Sequence, residues 1–357
     1  MATSKFKPYR SAPVHAKRAQ PIPSALYPVF WRFAHERQEI YLRRVAGGPP
    51  PWTNDKILSE YKFTNVYRAS DRVSQFFIRT MYAGDKANEE TIFLRVLLFK
   101  IFNKIETWEH LIAELGLPDA DSFDFEKCNL VLSELMRKKS IYSAAYIMPS
   151  GGLSGPKHRM HLSLLRRMLK ERVAARILKA SSLSEVYEIL LSYPSLGPFL
   201  AFQYAIDFNY TELINHSEMD FVVAGPGALD GLSKCFKEYG DYSPADVIRW
   251  VCERQEDEFR MLDLSFPGLW GRPLQLIDVQ NLFCEVSKYT RVSHPSVPGK
   301  SGRTRIKQKF STAGVLPEPH FPPKWGVNDR VKDWMAERSH PLARPELAHQ
   351  GRLFSDL

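Results

Sequence analysis

The stretch YPSLGPFLAFQYAIDFNYTELINHSEMD, over 193–220, concentrates residues able to do chemistry. Tyr193-Pro194-Ser195-Leu196-Gly197 reads as a tight turn between an amphipathic helix and a second helix opened by Pro198. The amides at such a corner lack partners inside the helix, and the helix dipole adds positive potential. That combination suits a phosphate. Gly197 predicts close approach of a nucleic-acid backbone, with Leu196 and Phe199 flanking the grip. Two carboxylates accompany the turn: Asp207 on the second helix, and Asp220 in Glu218-Met219-Asp220-Phe221-Val222. A carboxylate can stabilise a developing cation or orient a water; it can equally cap a helix or pair with a basic side chain. Asp207 reads as a structural partner, and Asp220 is open to either role.

Further groups lie outside this stretch. Gly225-Pro226-Gly227-Ala228 opens a helix over 229–239, and Gly225 and Gly227 either cradle a second phosphate or simply turn the chain. In Thr64-Asn65-Val66-Tyr67-Arg68, Asn65 and Arg68 fall three apart on one face of a predicted helix. Asn65, set among Phe63, Val66 and Tyr67, reads as a largely buried amide free for a functional hydrogen bond, with an i,i+3 surface network as the plain alternative; Asp71 and Arg72 read as such a network. On the helix over 277–289, Gln280, Asn281, Cys284, Glu285 and Lys288 share one broad face. A polar face on an apolar helix is costly unless satisfied, so a network bordering a base pocket is expected there, with Cys284 as a small core residue. Lys157, Arg159, Arg166, Arg167, Lys170, Arg172, Arg176 and Lys179 follow the glycine-rich loop over 150–155, with Glu171 the one acid among them. They predict a track for a DNA backbone, against a solvated charged face as the plain alternative.

Helices must position these groups. Apolar residues recur at three- and four-residue spacing over 58–82, 91–105, 158–180, 183–191 and 244–262. Ser182 and Ser243 stand as caps, the latter before Pro244. The best strand-like run, 221–224, is short. The reading is an all-α domain over 25–295, preceded by a basic arm over 1–24 and followed by a Pro-rich basic tail over 296–357. The arm carries Lys5, Lys7, Arg10, Lys17 and Arg18, and serves either to contact DNA or to solubilise. Prolines from Pro295 to Pro345 predict no long regular element in the tail. Gly299-Lys300-Ser301 is not read as a phosphate loop, because His294 stands at the position of the loop's first glycine. A nucleotide-kinase reading of the chain is set aside on that ground.

The 357 residues are 44% hydrophobic, which supports a sizeable core and excludes a disordered chain. The net charge of +9 points to a polyanionic partner. No apolar run is long enough to cross a membrane, and no apolar segment follows the basic N-terminus as in a secretory signal. Cys128, Cys235, Cys252 and Cys284 are scattered, so neither a metal site nor a disulfide framework is expected and a reducing cytoplasm fits.

The hairpin resembles the helix-hairpin-helix of the DNA glycosylase superfamily. Pro194, Leu196, Gly197 and Ala201 match its pattern, while Ser195 stands at its first glycine. The resemblance implies a catalytic aspartate, which Asp220 would supply twenty-three residues beyond Gly197. It places Asn65, Arg68, Gln280, Asn281, Glu285 and Lys288 around the base, and Lys157, Arg159 and Arg166 along the strand. A monovalent cation at the hairpin is the one bound group it leaves room for. Phe199 stands where bifunctional members carry a lysine, so a monofunctional hydrolase is implied. The segments PPPWTNDKILSEYKFTNVYRASD, FNYTELINHSEMDFVVAGPGALDGLSKCF and LQLIDVQNLFCEVSKYTR also resemble helical proteins associated with hypermodified pyrimidines of phage DNA. Those include the helical domain of 5-hydroxymethyluracil DNA kinases, thymine pyrophosphorylases of the alpha-glutamyl/putrescinyl type, and glycosylases of modified DNA. The function expected from this is a DNA glycosylase that flips out and excises a hydroxymethylated or glucosylated pyrimidine, in anti-phage defence. The alternatives are a transferase acting on hydroxymethyluracil in DNA, and a non-catalytic DNA-binding module.

Overall fold

A computed structural model describes residues 19–84, 86–149, 155–311 and 316–339. The predicted arm residues Lys5, Lys7, Arg10, Lys17 and Arg18 and the loop over 150–154 lie outside these. The described residues form fifteen α-helices and one two-stranded sheet, so the fold is all-α. In chain order the helices are α1 Tyr27–Val45, α2 Lys56–Glu60, α3 Arg72–Met81, α4 Glu89–Phe102 and α5 Ile105–Leu115. There follow α6 Phe125–Lys138, α7 Lys157–Lys170, α8 Val173–Lys179, α9 Leu183–Leu191 and α10 Pro198–Asn209. The last are α11 Pro226–Cys235, α12 Pro244–Glu253, α13 Gln255–Met261, α14 Leu276–Ser293 and α15 Asn328–Ser339. Strands β1 Ile22–Pro23 and β2 Phe236–Glu238 pair antiparallel. The strand-like run over 221–224 forms no strand. The described residues divide into two compact units, one within 72–221 with α3 to α10, the other within 19–71 and 222–339 with the remaining helices.

In the first unit α4 and α10 are the centre. Both are apolar on all sides, and such a helix is stable only when surrounded. α4 starts at Asn88, whose side chain accepts the Thr91 N–H, and ends at Asn103 in a left-handed conformation, φ 47°. Against this centre pack α7, α8 and α9. The periodicity over 158–180 predicts one helix, but the chain breaks between α7 and α8 where Arg172 adopts φ 53°.

In the second unit α14 lies against α11, α12 and α1. The α11–α14 approach depends on Gly231, because a Cβ there would sit 2.0 Å from the Phe283 carbonyl oxygen. Aromatic rings of α1, including Phe30 and Trp31, fill the space toward Phe283 and Phe259. α12 opens on Ser243 with a reciprocal cap through Asp246. The helix predicted over 58–82 is interrupted. Asp55 caps the short α2 through the N–H groups of Ile57 and Leu58, the backbone then runs non-helically, and a single 3₁₀ turn at Arg68–Ser70 precedes α3. Asn65 and Arg68 therefore share no helix face.

The tail is more regular than its prolines predict. Residues 308–310 run antiparallel to 60–62, with Lys62 N–H donating to Gln308 O at 3.0 Å and Phe310 N–H to Glu60 O at 2.8 Å. α15 fits between Pro323 and Pro341, anchored by Asn328, whose amide bonds both the N–H and the carbonyl of Phe321.

Candidate functional site

The predicted phosphate corner exists, but its parts differ from the expectation. Ser195 carries the left-handed conformation, φ 69°, while Gly197 sits at φ −69°, which any residue adopts. Gly197 is therefore not needed for backbone freedom. It is exposed, and a Cβ added there would meet nothing within 4 Å. Leu196 is only 2% exposed, so its side chain belongs to the core and is not offered to a strand. The Phe199 ring stacks on Tyr146 at 5.9 Å between centroids.

Tyr193 joins this corner to the basic helices. Its hydroxyl donates to Glu171 Oε2 at 2.6 Å and accepts from Arg176 Nη1 at 3.3 Å. The Tyr193 hydrogen bond is the main reason that the Glu171 carboxyl is held below its ordinary range, with Arg167 adding to it. Arg159, Arg166, Arg167, Lys170, Arg172, Arg176 and Lys179 are all exposed. Arg159, Arg166 and Lys170 follow at spacings of seven and four along α7, so they form one stripe. Lys157 is held differently, with its ammonium 4.6 Å from the centre of the Tyr142 ring. Arg167 is engaged by Glu171 at 2.7 Å, whereas Glu126 to Arg166 at 3.8 Å and Glu90 to Arg172 at 3.9 Å make loose pairs that leave those two cations available.

Asp220 is engaged structurally. Its Oδ2 accepts the Ser184 N–H at 2.9 Å in the first turn of α9, beside the Ser182 side chain, which accepts from Glu185 N–H. Asp207 is 1% exposed and lies 3.2 Å from Lys100 Nζ, so the two central helices carry a buried ion pair.

The residues predicted for a base pocket lie in the second unit, where Asn65 is held by Arg37 of α1 and Glu285 and Lys288 meet the neighbouring Thr64 and Phe63. Arg37 Nη2 donates to Asn65 Oδ1 at 2.6 Å. Asn65 Nδ2 donates to Ser70 O at 2.6 Å, and its backbone N–H to Asp71 Oδ1 at 2.8 Å. Glu285 accepts the Thr64 N–H at 3.0 Å and pairs with Lys288 at 2.6 Å, whose ammonium stands 4.6 Å from the Phe63 ring centre. Asp71 is thus part of an internal network and not of a surface one. Burial pushes its carboxyl up to about 6, opposed by the Asn65 N–H and by Arg37. Burial likewise lowers Arg37 to about 10, opposed by Asp71. Arg72 is exposed and pairs with Glu106 at 3.3 Å, as a surface residue does.

The other members of the predicted pocket are elsewhere. Arg68 is 2% exposed and its N–H donates to Asp278 Oδ1 at 2.9 Å, which ties the 3₁₀ turn to the start of α14. Gln280 is fully buried and donates to Cys284 Sγ at 3.4 Å. Asn281 is half-buried on the stripe of Glu285 and Lys288, so the polar face of α14 splits in two. Burial pushes the Cys284 thiol up to about 12, which makes it inert packing. Gly225 is buried, and Gly227 packs on that cysteine, since a Cβ would approach Cys284 Sγ to 2.8 Å. Gly227 thus serves the packing of α11 on α14. Arg37 escaped sequence reasoning. The available signal was weak: Glu36-Arg37-Gln38 is a polar run that α1 buries, but the helix carries other charges, such as Arg32 and Glu39, that mask it.

Two hollows occur beside these elements in the second unit. One, of about 580 Å³, is a wide trough between α13 and the loop over 263–273. The other, of about 240 Å³, is more enclosed and is walled in part by Arg37.

A family model described as the helical domain of 5-hmdU DNA kinase matches residues 24–299. The chain belongs to that family. A 5-hmdU DNA kinase of Bacillus phage SP10 is 26% identical over 278 residues, which cover 71% of this chain and 43% of the relative. The chain thus spans less than half of that relative's length. No solved structure matches. These findings overturn the expected glycosylase: the family and the relative carry the name of a phosphotransferase, not of a hydrolase. The anti-phage excision role falls with it. Gly299-Lys300-Ser301 still offers no phosphate loop, since Ser301 N–H donates to the Asp230 carboxylate at 2.7 Å and that carboxylate lies against Gly299. Burial opposes ionisation of Asp230, yet hydrogen bonds from Ser287 and Ser301 keep its carboxyl below the ordinary range.

Proposed function

We propose that the chain recognises 5-hydroxymethyldeoxyuridine in DNA and serves group transfer to its hydroxymethyl oxygen. The observation that carries this reading is the family match over 24–299, joined by a relative named as a kinase of that nucleotide in DNA. Phosphoryl transfer is largely positioning and charge neutralisation, so holding strand and base in place is itself a catalytic contribution. The exposed stripe of Arg159, Arg166 and Lys170 suits the strand, and it supports DNA as the partner. A cytoplasmic location goes with that partner. The phosphate donor is assigned to no residue of this chain.

The test is direct. Labelled duplex and single-stranded DNA containing 5-hydroxymethyluracil, or thymine at the same positions, is titrated with the full chain. In parallel the DNA is incubated with chain and ATP, digested and weighed as nucleosides. Preference for the hydroxymethylated strand, with or without a mass gain of one phosphate, supports the reading. Equal affinity for both strands together with unchanged nucleoside masses refutes it.

A further inference from the structure

Arg37 and Arg44 are seven residues apart on α1 and so face the same way. Both line the cavity of about 240 Å³, together with Trp52, Tyr61, Phe63 and Phe310. That volume lies just below the range typical of drug-sized ligands, and so fits a single small ring system. Its lining among the described residues includes no Asp or Glu. The Arg44 guanidinium lies 5.0 Å from the centre of the Trp52 ring and 5.3 Å from that of Phe310, and no carboxylate pairs with it among the described residues. Trp52 is fixed in place, as its Nε1 donates to Gly48 O and its carbonyl accepts from Arg43, both at 2.7 Å.

Arg37 supplies the second, independent observation. It is 93% buried by its 7% exposure, and its Nη1 has no acceptor among the described residues although Nη2 is satisfied by Asn65. A buried guanidinium N–H demands an acceptor. Two cations, flat apolar walls and one unused donor select a ligand that is planar, apolar on its faces, rich in carbonyl oxygen and anionic at one end. A free apolar molecule would leave Arg37 unsatisfied, and a cation would be repelled.

We propose that this cavity is a pyrimidine-nucleotide site, with the base against Trp52 and Phe310, a base carbonyl accepting from Arg37, and the phosphate on Arg44. The nucleotide is carried either by an unpaired position of a strand or by a free monophosphate. The inference builds on the proposed recognition of 5-hydroxymethyldeoxyuridine but is tested apart from it.

Four probes are used with the full chain: a labelled single strand with one 5-hydroxymethyluracil, the same strand with thymine at that position, the same strand with an abasic site there, and free 5-hydroxymethyl-dUMP. The variants are Arg44→Gln and Phe310→Ala, both on half-exposed positions; circular dichroism and melting establish that each is folded. The parent chain is expected to bind the base-bearing strand about tenfold more tightly than the abasic one, the scale of one stacked base. Phe310→Ala, which removes a wall against the base, brings that ratio close to unity and leaves abasic binding unchanged, whereas Arg44→Gln, which gives up the phosphate contact, weakens both strands. If the free nucleotide is the natural ligand, its affinity falls about tenfold in Arg44→Gln, the scale of one charged hydrogen bond. An unchanged ratio in Phe310→Ala and unchanged strand affinity in Arg44→Gln, with free-nucleotide binding absent or unaltered, overturns the site. If preference for hydroxymethyluracil over thymine persists in that case, the proposed function stands without this cavity. If instead the parent chain binds hydroxymethyluracil and thymine strands equally and leaves nucleoside masses unchanged, while the variants weaken both strands, the cavity stands and that function does not.

Discussion

The buried pair Lys100–Asp207 offers the sharpest test of how the first unit is built. Nζ and Oδ2 are 3.2 Å apart, on side chains 3% and 1% exposed. At an effective dielectric near 20 the Coulomb attraction across that distance is about 5 kcal/mol, most of it offset by desolvation. Lys100 has a further partner in Asn103 Oδ1 at 2.9 Å, so the ammonium is held from two sides. Removing one ion leaves the other buried and unpaired. Lys100→Met and Asp207→Leu are each expected to cost about 3–5 kcal/mol in urea unfolding. The double variant should recover most of that loss, giving a coupling of about 2 kcal/mol or more in a double-mutant cycle. Single-variant losses under about 1 kcal/mol would mean that water reaches the pair, and the description of α4 and α10 as a closed centre would fail. The same cycle addresses function: a loss of activity in the restored double variant would return Asp207 to the list of chemical groups.

Four further outcomes are expected. Gly231→Ala pushes a methyl into the Phe283 carbonyl and should destabilise the second unit by about 1–3 kcal/mol, seen as a lower melting midpoint. The Asp71 carboxyl titrates near 6 in the fold against about 3.9 in the unfolded chain, so the folded state binds that proton more tightly. Its contribution is full below about pH 4 and is lost as pH rises through 6. Asp71→Asn should remove that fall, gaining on the parent by up to about 2 kcal/mol between pH 4 and 7 in melting curves. Arg159→Gln and Arg166→Gln should each flatten the slope of log affinity against log salt for DNA by about one, and an unchanged slope would take α7 away from the strand. Asp220→Asn keeps an acceptor for Ser184 N–H and should be nearly neutral in stability, while Asp220→Ala should cost about 1 kcal/mol.

What the sequence revealed was set by how local the cause is. α9 appears with its predicted bounds because its cap at Ser182 and its periodicity both lie within the segment. The all-α class follows from the same repeated spacing. The interruption over 61–67 was hidden, because residues far along the chain compensate it: Asn65 is held by Arg37, and Thr64 by Glu285. Asp220 had the spacing for a chemical role, and the bond it makes was invisible because the helix start it caps is thirty-six residues upstream. The charged stripe on α7 was legible because exposure needs no distant partner. Asn65, Glu285 and Lys288 were placed near one another by resemblance; in the structure Glu285 holds Thr64 next to Asn65, and Asn65 is bonded by Arg37, a cation that motif reading had passed over.

The strap formed by 308–310 has a practical consequence for anyone dissecting this chain. The match to its family stops at 299, yet Phe310 walls the small cavity and Lys309 reaches Glu60 beside it. A fragment trimmed to the homologous segment would fold its helices around an open-sided hollow and leave the edge at 60–62 bare. The limits of shared ancestry and the limits of a finished binding surface are thus different points on this polypeptide, and expression designs should follow the second.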